Sequence, residues 1–471
     1  MKRIVILLFF INYKILFASI SINGKVFDYT TSEGIPFINI YIENTTIGVI
    51  SNSDGNFIIN IPSTYKNAVL VFSSIGYETY KIKISDLNTG TSNSIKLKQS
   101  TTVLDEVVLN YKKLTANEIV KNAFGNYYKN FPSFPFLSKC FLRHTEKTKT
   151  EFKWLVEAAI EVYDPGFNVN PKKIKANVLE VRKSIDNRYI DTLSAYKFYS
   201  KYVLKKPNRE IWRKDFNLEE VSFKEIEKAI IYHDTYSTLR GWQEKFFYSL
   251  FSTDHNKIRY FKQNNSILDG QILSKHTFKL DTVLTYNGDR AYKIKILPNV
   301  PPSNLNRFKK NRELPIGWIY IRKKDFAIIE LKYSLINNSK NNSVNSNIFG
   351  SKIASIYNIK FIEFKGKMYP KFISLATPKG NRFMESLDGL DLESEISDPE
   401  IYYYTKQEIL FNEFIVDQVE IESALKKQWN DDLFAPRNFN TAFWKNYNIL
   451  LESEEEQKLI NDLEKAKAFK K

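Results

Sequence analysis

Ile20-Ser21-Ile22-Asn23-Gly24-Lys25-Val26 opens a stretch that closes with Leu104-Asp105-Glu106-Val107-Val108, and the residues between them decide the fold of the first part of this chain. Apolar and polar residues alternate there in short runs: Ile38, Ile40 and Ile42; Phe57, Ile59 and Ile61; Ile82 and Ile84; Ile95 and Leu97. A period of two sends successive side chains to opposite faces, so each run reads as a half-buried strand. Ser32-Glu33-Gly34, Asn52-Ser53-Asp54-Gly55 and Ser85-Asp86-Leu87-Asn88-Thr89-Gly90 punctuate the runs, because Gly, Asn and Asp tolerate the positive φ of tight turns. About seven short strands at this spacing predict a small β-sandwich over residues 19–100.

Gly24-Lys25-Val26, Gly34-Ile35-Pro36-Phe37-Ile38-Asn39-Ile40, the run from Gly48 to Phe57, and Phe72-Ser73-Ser74-Ile75-Gly76-Tyr77 resemble, in order and spacing, the carboxypeptidase regulatory-like domain, a transthyretin-like sandwich. The resemblance implies an accessory domain without peptidase activity. Such domains stand at the N-terminus of many bacterial envelope proteins, including TonB-dependent outer-membrane receptors, and Leu104-Asp105-Glu106-Val107-Val108 resembles the junction that follows them there.

Upstream, Lys2 and Arg3 precede an apolar run from Ile4 to Ile11 and a second patch ending at Ala18-Ser19, the pattern of a secretory signal peptide over residues 1–18. Asn12-Tyr13-Lys14 interrupts the run, which excludes a spanning helix of about 20 residues there. Cys140 is the one cysteine, so no disulfide framework and no lipid-anchoring thiol after the signal is expected. With 43% hydrophobic and 15% aromatic residues among 471, the chain has material for two or three cores. The net charge of +16 is spread along the chain. A nucleic-acid partner needs its basic residues gathered on one face or helix, so none is expected, whereas attraction to anionic envelope polymers is.

Residues 101–113 read as a linker and 114–131 as a helix, with Thr115 and Glu118 forming a capping box and Ile119, Val120, Ala123, Phe124 and Tyr127 at helical spacing. Phe131-Pro132-Ser133-Phe134-Pro135 ends it. From 132 to 440 period two returns in longer runs: Val156, Ala158, Ile160 and Val162; Tyr292, Ile294 and Ile296; Trp318 to Arg322; Ala327 to Tyr333; Ile356 to Phe364; Phe372 to Leu375; Phe411 to Val416. The fold class expected is mainly β (α+β), with a large antiparallel curved sheet or half-barrel after the sandwich. Short helices are expected within 222–251, a polar loop over 336–348, and a C-terminal helix within 441–471 that follows the capping box Ser453 and Glu456. Ala116 to Val120, Phe141-Leu142-Arg143-His144-Thr145, Glu157 to Tyr163 and Trp444-Lys445-Asn446-Tyr447-Asn448 are similar to a family of bacterial envelope proteins that place such a region after the same sandwich; His144 stands where that family has an acid.

No residue set has catalytic spacing. His144, His233, His255 and His276 lie far apart, without the helical pairing of a zinc site. No Gly-x-Ser-x-Gly elbow or phosphate-cradling glycine loop occurs. Cys140 between Leu137, Phe141 and Leu142 reads as a strand residue. Asn52, Asp54 and Asn56 alternate as calcium ligands do but lack the distal glutamate, and a turn accounts for them. Tyr402-Tyr403-Tyr404, and Trp242 with Phe246 and Phe247, are explained by core packing as well as by a glycan platform.

The expectation is therefore an exported, non-catalytic envelope protein with no cofactor or metal. Its sandwich is a docking module, its β-rich region binds an envelope protein, glycan or lipid, and peripheral outer-membrane association is open to it. Two alternatives stand beside this. One is a hydrolase of envelope polymers with paired carboxylates, for which Glu157, Asp254 and Glu330 are no better placed than other acids. The other is a carrier of apolar cargo, in which the sheet of 280–375 closes a pocket under the terminal helix; Trp318 to Ile321 and Phe326 to Ile329 resemble strands of periplasmic lipoprotein carriers. A transmembrane barrel is not expected, because charges fall on both faces of Ile321-Arg322-Lys323-Lys324-Asp325 and of Lys360 to Lys367.

Overall fold

A computed structural model describes residues 19–100, 114–147, 152–184, 221–232, 256–259, 276–299, 313–337, 353–379, 403–431 and 440–465, with a few single positions between these segments. The expected signal segment 1–18, the linker 101–113, Trp242, Phe246, Phe247, Tyr402 and most of the loop expected at 336–348 lie outside the described residues.

The N-terminal unit is a sandwich of β1 (Ser19–Asp28), β2 (Asn39–Ile42), β3 (Gly48–Ile50), β4 (Asn56–Pro62), β5 (Val69–Ser73), β6 (Tyr80–Lys83) and β7 (Asn93–Leu97). One sheet runs β4-β1-β7 and the other β3-β2-β5-β6. The alternation read from the sequence is the packing: Ile22, Val26, Ile38, Ile40, Ile42, Phe57, Ile59, Ile61 and Phe72 are fully or almost fully buried between the sheets. Gly55, at φ 86°, turns the chain where the Asn52 side chain accepts from the amides of Asp54 and Asn56.

The second unit is a ten-stranded antiparallel sheet built from β8 (Phe136–Lys147), β9 (Phe152–Asp164), β10 (Lys175–Lys183), β11 (His276–Tyr286), β12 (Asp289–Pro298), β13 (Glu313–Arg322), β14 (Ile328–Asn337), β15 (Ile353–Phe364), β16 (Lys367–Lys379) and β17 (Tyr403–Ile415). Its order is β10-β9-β8-β17-β16-β15-β14-β13-β12-β11, so strands from β11 onward form a meander whose last member returns to pair with the first strand, β8. Register shifts between Val178 and Glu180, Leu280 and Thr282, Tyr320 and Ile321, Lys360 and Phe361, and Phe411 and Glu413 insert bulges, which increase twist and curl the sheet. The end strands β10 and β11 are not paired to each other, and the sheet is not closed into a barrel.

One face of the sheet carries the helices α1 (Ala116–Gly125) and α2 (Tyr127–Asn130). The capping box is present: Thr115 Oγ1 accepts from the Glu118 amide, and the Glu118 carboxylate accepts from the Thr115 amide. Ala116, Ile119, Val120 and Ala123 then face Ile294, Ile296, Ile319 and Ile321 in one core. The chain also forms α3 (Phe223–Tyr232), α4 (Gln418–Leu425), α5 (Thr441–Asn446) and α6 (Glu454–Lys465). Besides the helix expected after Ser453, residues 441–471 hold the short α5, and the run over 447–453 between the two bonds to both the sandwich and the sheet. The capping box of Ser453 and Glu456 starts α6 as read from the sequence.

Gly317 lies in the middle of β13 at φ 154°, and a Cβ there would stand 2.0 Å from the Lys332 carbonyl oxygen. Any side chain must therefore push β13 and β14 apart. Gly317→Ala is expected to cost about 2–3 kcal/mol. A denaturant midpoint unchanged from wild type would refute this close approach.

Candidate functional site

The face of the sheet opposite α1 and α2 receives the sandwich. Phe141, Ala159, Phe372 and Leu410 leave the main core and join the sandwich core, and Phe37 stacks on Phe372 with ring centroids 5.6 Å apart. Two buried lysines cross the junction. Lys360 Nζ donates to the Phe37 carbonyl at 2.8 Å, and Lys371 Nζ donates to Gly48 O at 2.6 Å and Phe411 O at 2.8 Å. Thr46 Oγ1 donates to Phe414 O, the Gly76 amide to Thr285 O, and Ser73 Oγ to Asn287. The sandwich of this chain packs on its own large sheet.

The C-terminal run completes the seam. Asn448 and Asn60 exchange bonds along the outer edge of β4, satisfying backbone groups that an edge strand leaves open. Asn52 Nδ2 donates to Glu452 O, and Asp54 accepts from the Glu454 amide. Two of the three alternating loop residues weighed as calcium ligands are therefore used to hold this segment.

Beneath the segment lies a buried ion network. Arg143, 1% exposed, donates to Glu157 at 2.7 Å, to Glu452 at 2.7 Å and to Leu450 O at 2.7 Å, while Arg182 binds the other Glu157 oxygen. Lys406 bridges Glu408 at 2.7 Å and Glu456 at 3.5 Å. Burial opposes charge on Arg143, yet the surrounding carboxylates of Glu157, Glu452, Glu408 and Glu456 hold it protonated beyond the ordinary range. Burial also opposes ionisation of Glu157, but Arg143 and Arg182 outweigh it and keep that carboxylate below its usual range. Burial leaves Glu452 above its own.

Glu157 and Glu330 do not form a pair with each other. Glu157 on β9 and Glu330 on β14 are five strands apart in the sheet order, roughly 20 Å or more at ordinary strand spacing, against the 5–10 Å or so that glycoside hydrolysis uses. Glu330 faces Lys332 and Lys360 at 3.6 Å each. Asp254, His233 and His255 lie outside the described residues. His144 Nδ1 meets the Gln407 amide at 3.0 Å and His276 Nε2 meets the Tyr333 hydroxyl at 3.2 Å, on strands at opposite parts of the sheet. Cys140 is fully buried, and burial pushes its thiol well up, which favours an inert core residue. Among the described residues no group of three His, Cys, Asp or Glu is placed to hold a metal ion.

The helix face holds a small pocket, with room for about one water, that the sequence does not reveal. Asp164 at the end of β9 takes a forked pair from Arg259 at 2.6 and 3.0 Å, and Arg259 also donates to Gly166 O and lies over the Phe167 ring at 4.7 Å. Phe136, Val162, Ile373 and Phe411 form apolar walls, with the buried Ser138 hydroxyl among them. Phe131 of the α2 exit stacks on Phe167 at 5.3 Å and meets Phe361 edge-on at 4.9 Å. No sequence signal joins an Asp and an Arg 95 positions apart. Among the described residues it is α1 that packs on β11 and β13, whereas α6 packs on β9, where the network around Arg143 holds the C-terminal run on the sandwich side.

No helix among the described residues is long and apolar enough to cross a membrane, a statement about helices and not about strands. TonB-dependent receptor SusC of Bacteroides thetaiotaomicron is 32% identical over 101 residues, 21% of this chain and 9% of that receptor. TonB-dependent receptor P3 of Formosa agariphila is 30% identical over 89 residues, 19% of this chain and 8% of that receptor. The chain thus spans under a tenth of the length of these curated relatives. Among solved structures, a LolA superfamily protein of Nitrosomonas europaea aligns over 65% of this chain and 95% of its own, at 8% identity and a TM-score of 0.22. A putative outer membrane lipoprotein-sorting protein domain from Vibrio parahaemolyticus aligns over 66% and 98%, at 6% identity and a TM-score of 0.21. Residues 22–109, which hold the sandwich and the junction after it, match the sequence profile of the CarboxypepD_reg-like domain, and the N-terminal domain of this chain is one.

Proposed function

We propose that the chain is an exported, non-catalytic protein of the cell envelope that holds a partner or ligand on its large sheet. The observation that carries this reading is the CarboxypepD_reg-like domain, shared in sequence with two TonB-dependent receptors and seated here on the chain's own sheet. A domain fixed by buried lysines and a C-terminal strap acts as part of a rigid platform, and its role is to hold the sheet in one orientation. We place that partner on the helix face of the sheet, because the sandwich occupies the other; the space between Asp164 and Arg259 holds about one water and is too small to seat it.

Cell fractionation is expected to place the protein in the envelope, and a cytosolic pool would overturn the reading. Purified protein is expected to leave peptidoglycan and envelope polysaccharides intact. Turnover abolished by one Asp or Glu substitution would put a hydrolase in its place.

One observation favours the carrier of apolar cargo as a second reading: the helix face is floored by aliphatic and aromatic side chains from β8 to β17. Tyr127, Phe131 and Phe167 already stack into that space. Mass spectrometry of natively extracted protein separates the two, because a carrier co-purifies with lipid.

A further inference from the structure

The sandwich covers only part of its face of the sheet, and what lies beyond its footprint is a cationic row. The cross-strand register aligns Lys279 of β11 with Lys295 of β12, Lys295 with Trp318 of β13, and Trp318 with Lys332 of β14. Registered partners share a face, so these side chains stand side by side on the surface. Lys279, Lys295 and Lys332 are exposed and Trp318 is half-buried. Lys293, from the neighbouring row, lies over the Trp318 ring at 4.2 Å, and Lys295 lies 5.6 Å from the same ring. The neighbouring row runs Lys293, Tyr320, Glu330 and Lys360, and Lys360 is the lysine that grips Phe37, which identifies the face as the sandwich side.

The acids at the patch are Asp281, 3.1 Å from Lys293, and the buried Glu330, 3.6 Å from Lys332 and shared with Lys360. Four lysines therefore face two acids, one of them divided with a lysine outside the patch. Lys279 directly opposite Lys295 is an arrangement that weakens a sheet. On the far side of the lysine row the register sets Ile316, Ser334 and Ile356 in line, all half-buried.

A row of ammonium groups around an indole, edged by half-exposed aliphatic side chains, matches the layering of a membrane interface. Phosphate headgroups meet lysine there, and tryptophan sits at the boundary with the acyl region. We propose that this lysine and tryptophan face seats the protein on an anionic lipid surface. The occupant is lipid because the aliphatic row needs an apolar partner beside the anionic one, which a nucleic acid or an acidic glycan does not supply. This contact goes beyond the proposed partner binding, which uses the opposite face.

The test is co-sedimentation of the full chain with vesicles of equal parts phosphatidylglycerol and phosphatidylcholine, against pure phosphatidylcholine vesicles. Wild type is expected to bind the anionic vesicles and to be released by salt. Lys279→Gln, Lys295→Gln and Lys332→Gln are each expected to weaken binding about fivefold, and together about a hundredfold. The three Lys→Arg substitutions should retain it, which separates lost charge from lost folding. Lys83, Lys96 and Lys98 on the sandwich changed to Gln remove the same charge and should leave binding within about twofold of wild type. The proposal is overturned if that control weakens binding as much as the patch variant, or if neutral vesicles bind equally well. It is also overturned if the patch variant keeps its vesicle binding but loses retention on an acidic polysaccharide.

Discussion

Arg143→Met is expected to lower stability by about 3–5 kcal/mol, the largest effect of any single substitution considered for this protein. Arg143 is the cation between Glu157, Glu452 and the Leu450 carbonyl in a site closed to water. Removing it leaves Glu157 with Arg182 alone and Glu452 with an Arg182 nitrogen at 3.9 Å. The C-terminal run is then expected to detach first, since Glu452 and Leu450 are its anchors on β8. Guanidinium unfolding measures the loss, and limited proteolysis near residue 450 reads the detachment. Replacing Arg143, Glu157 and Glu452 together by Met, Leu and Leu should recover much of the loss, because a whole buried ion group exchanged for packed apolar residues is often neutral. A triple variant as unstable as Arg143→Met would show that the network is needed for more than charge balance.

Lys371 sets a pH dependence of the sandwich junction. Burial pushes its ammonium down to about 7, with Cys140 acting weakly the other way, while the unfolded chain keeps an ordinary lysine. Between about 7 and the ordinary lysine value near 10.4 the unfolded state binds the extra proton, so stability rises with pH at about 1.4 kcal/mol per unit across that window. Below about 7 both states are charged and the full cost of burying the ammonium is present. Lys371→Met should abolish this slope, as seen in unfolding midpoints from neutral to alkaline pH. It should also loosen the sandwich, because Gly48 O and Phe411 O lose their donor. An identical slope in wild type and Lys371→Met would refute the assignment.

Much of the architecture was legible in the sequence because it rests on local rules. The alternation of Ile38, Ile40 and Ile42 and the turn at Asn52 to Gly55 act within a few residues, and they produce β2 and the β3–β4 turn. The same is true of Thr115 with Glu118 and of Ser453 with Glu456, whose capping bonds span three positions. Resemblance then supplied the family of the sandwich, which the profile match over residues 22–109 bears out.

What the tertiary structure alone decided is every feature that depends on distant residues meeting. Period two shows that Lys360 and Lys371 lie in strands, but a lysine between apolar neighbours reads as a solvated position, and only the docked sandwich turns both into donors for its carbonyls. Glu157 is one acid among dozens in the sequence and becomes a locked network member only when β9 passes beneath Glu452. Arg259 reaches Asp164, and Lys279, Lys295, Trp318 and Lys332 fall into one row, only because register brings together positions that the chain separates. The physical reason is that side-chain alternation fixes which face a residue takes within its own strand, whereas strand order, register and the choice of what covers each face follow from the burial and pairing of the whole chain.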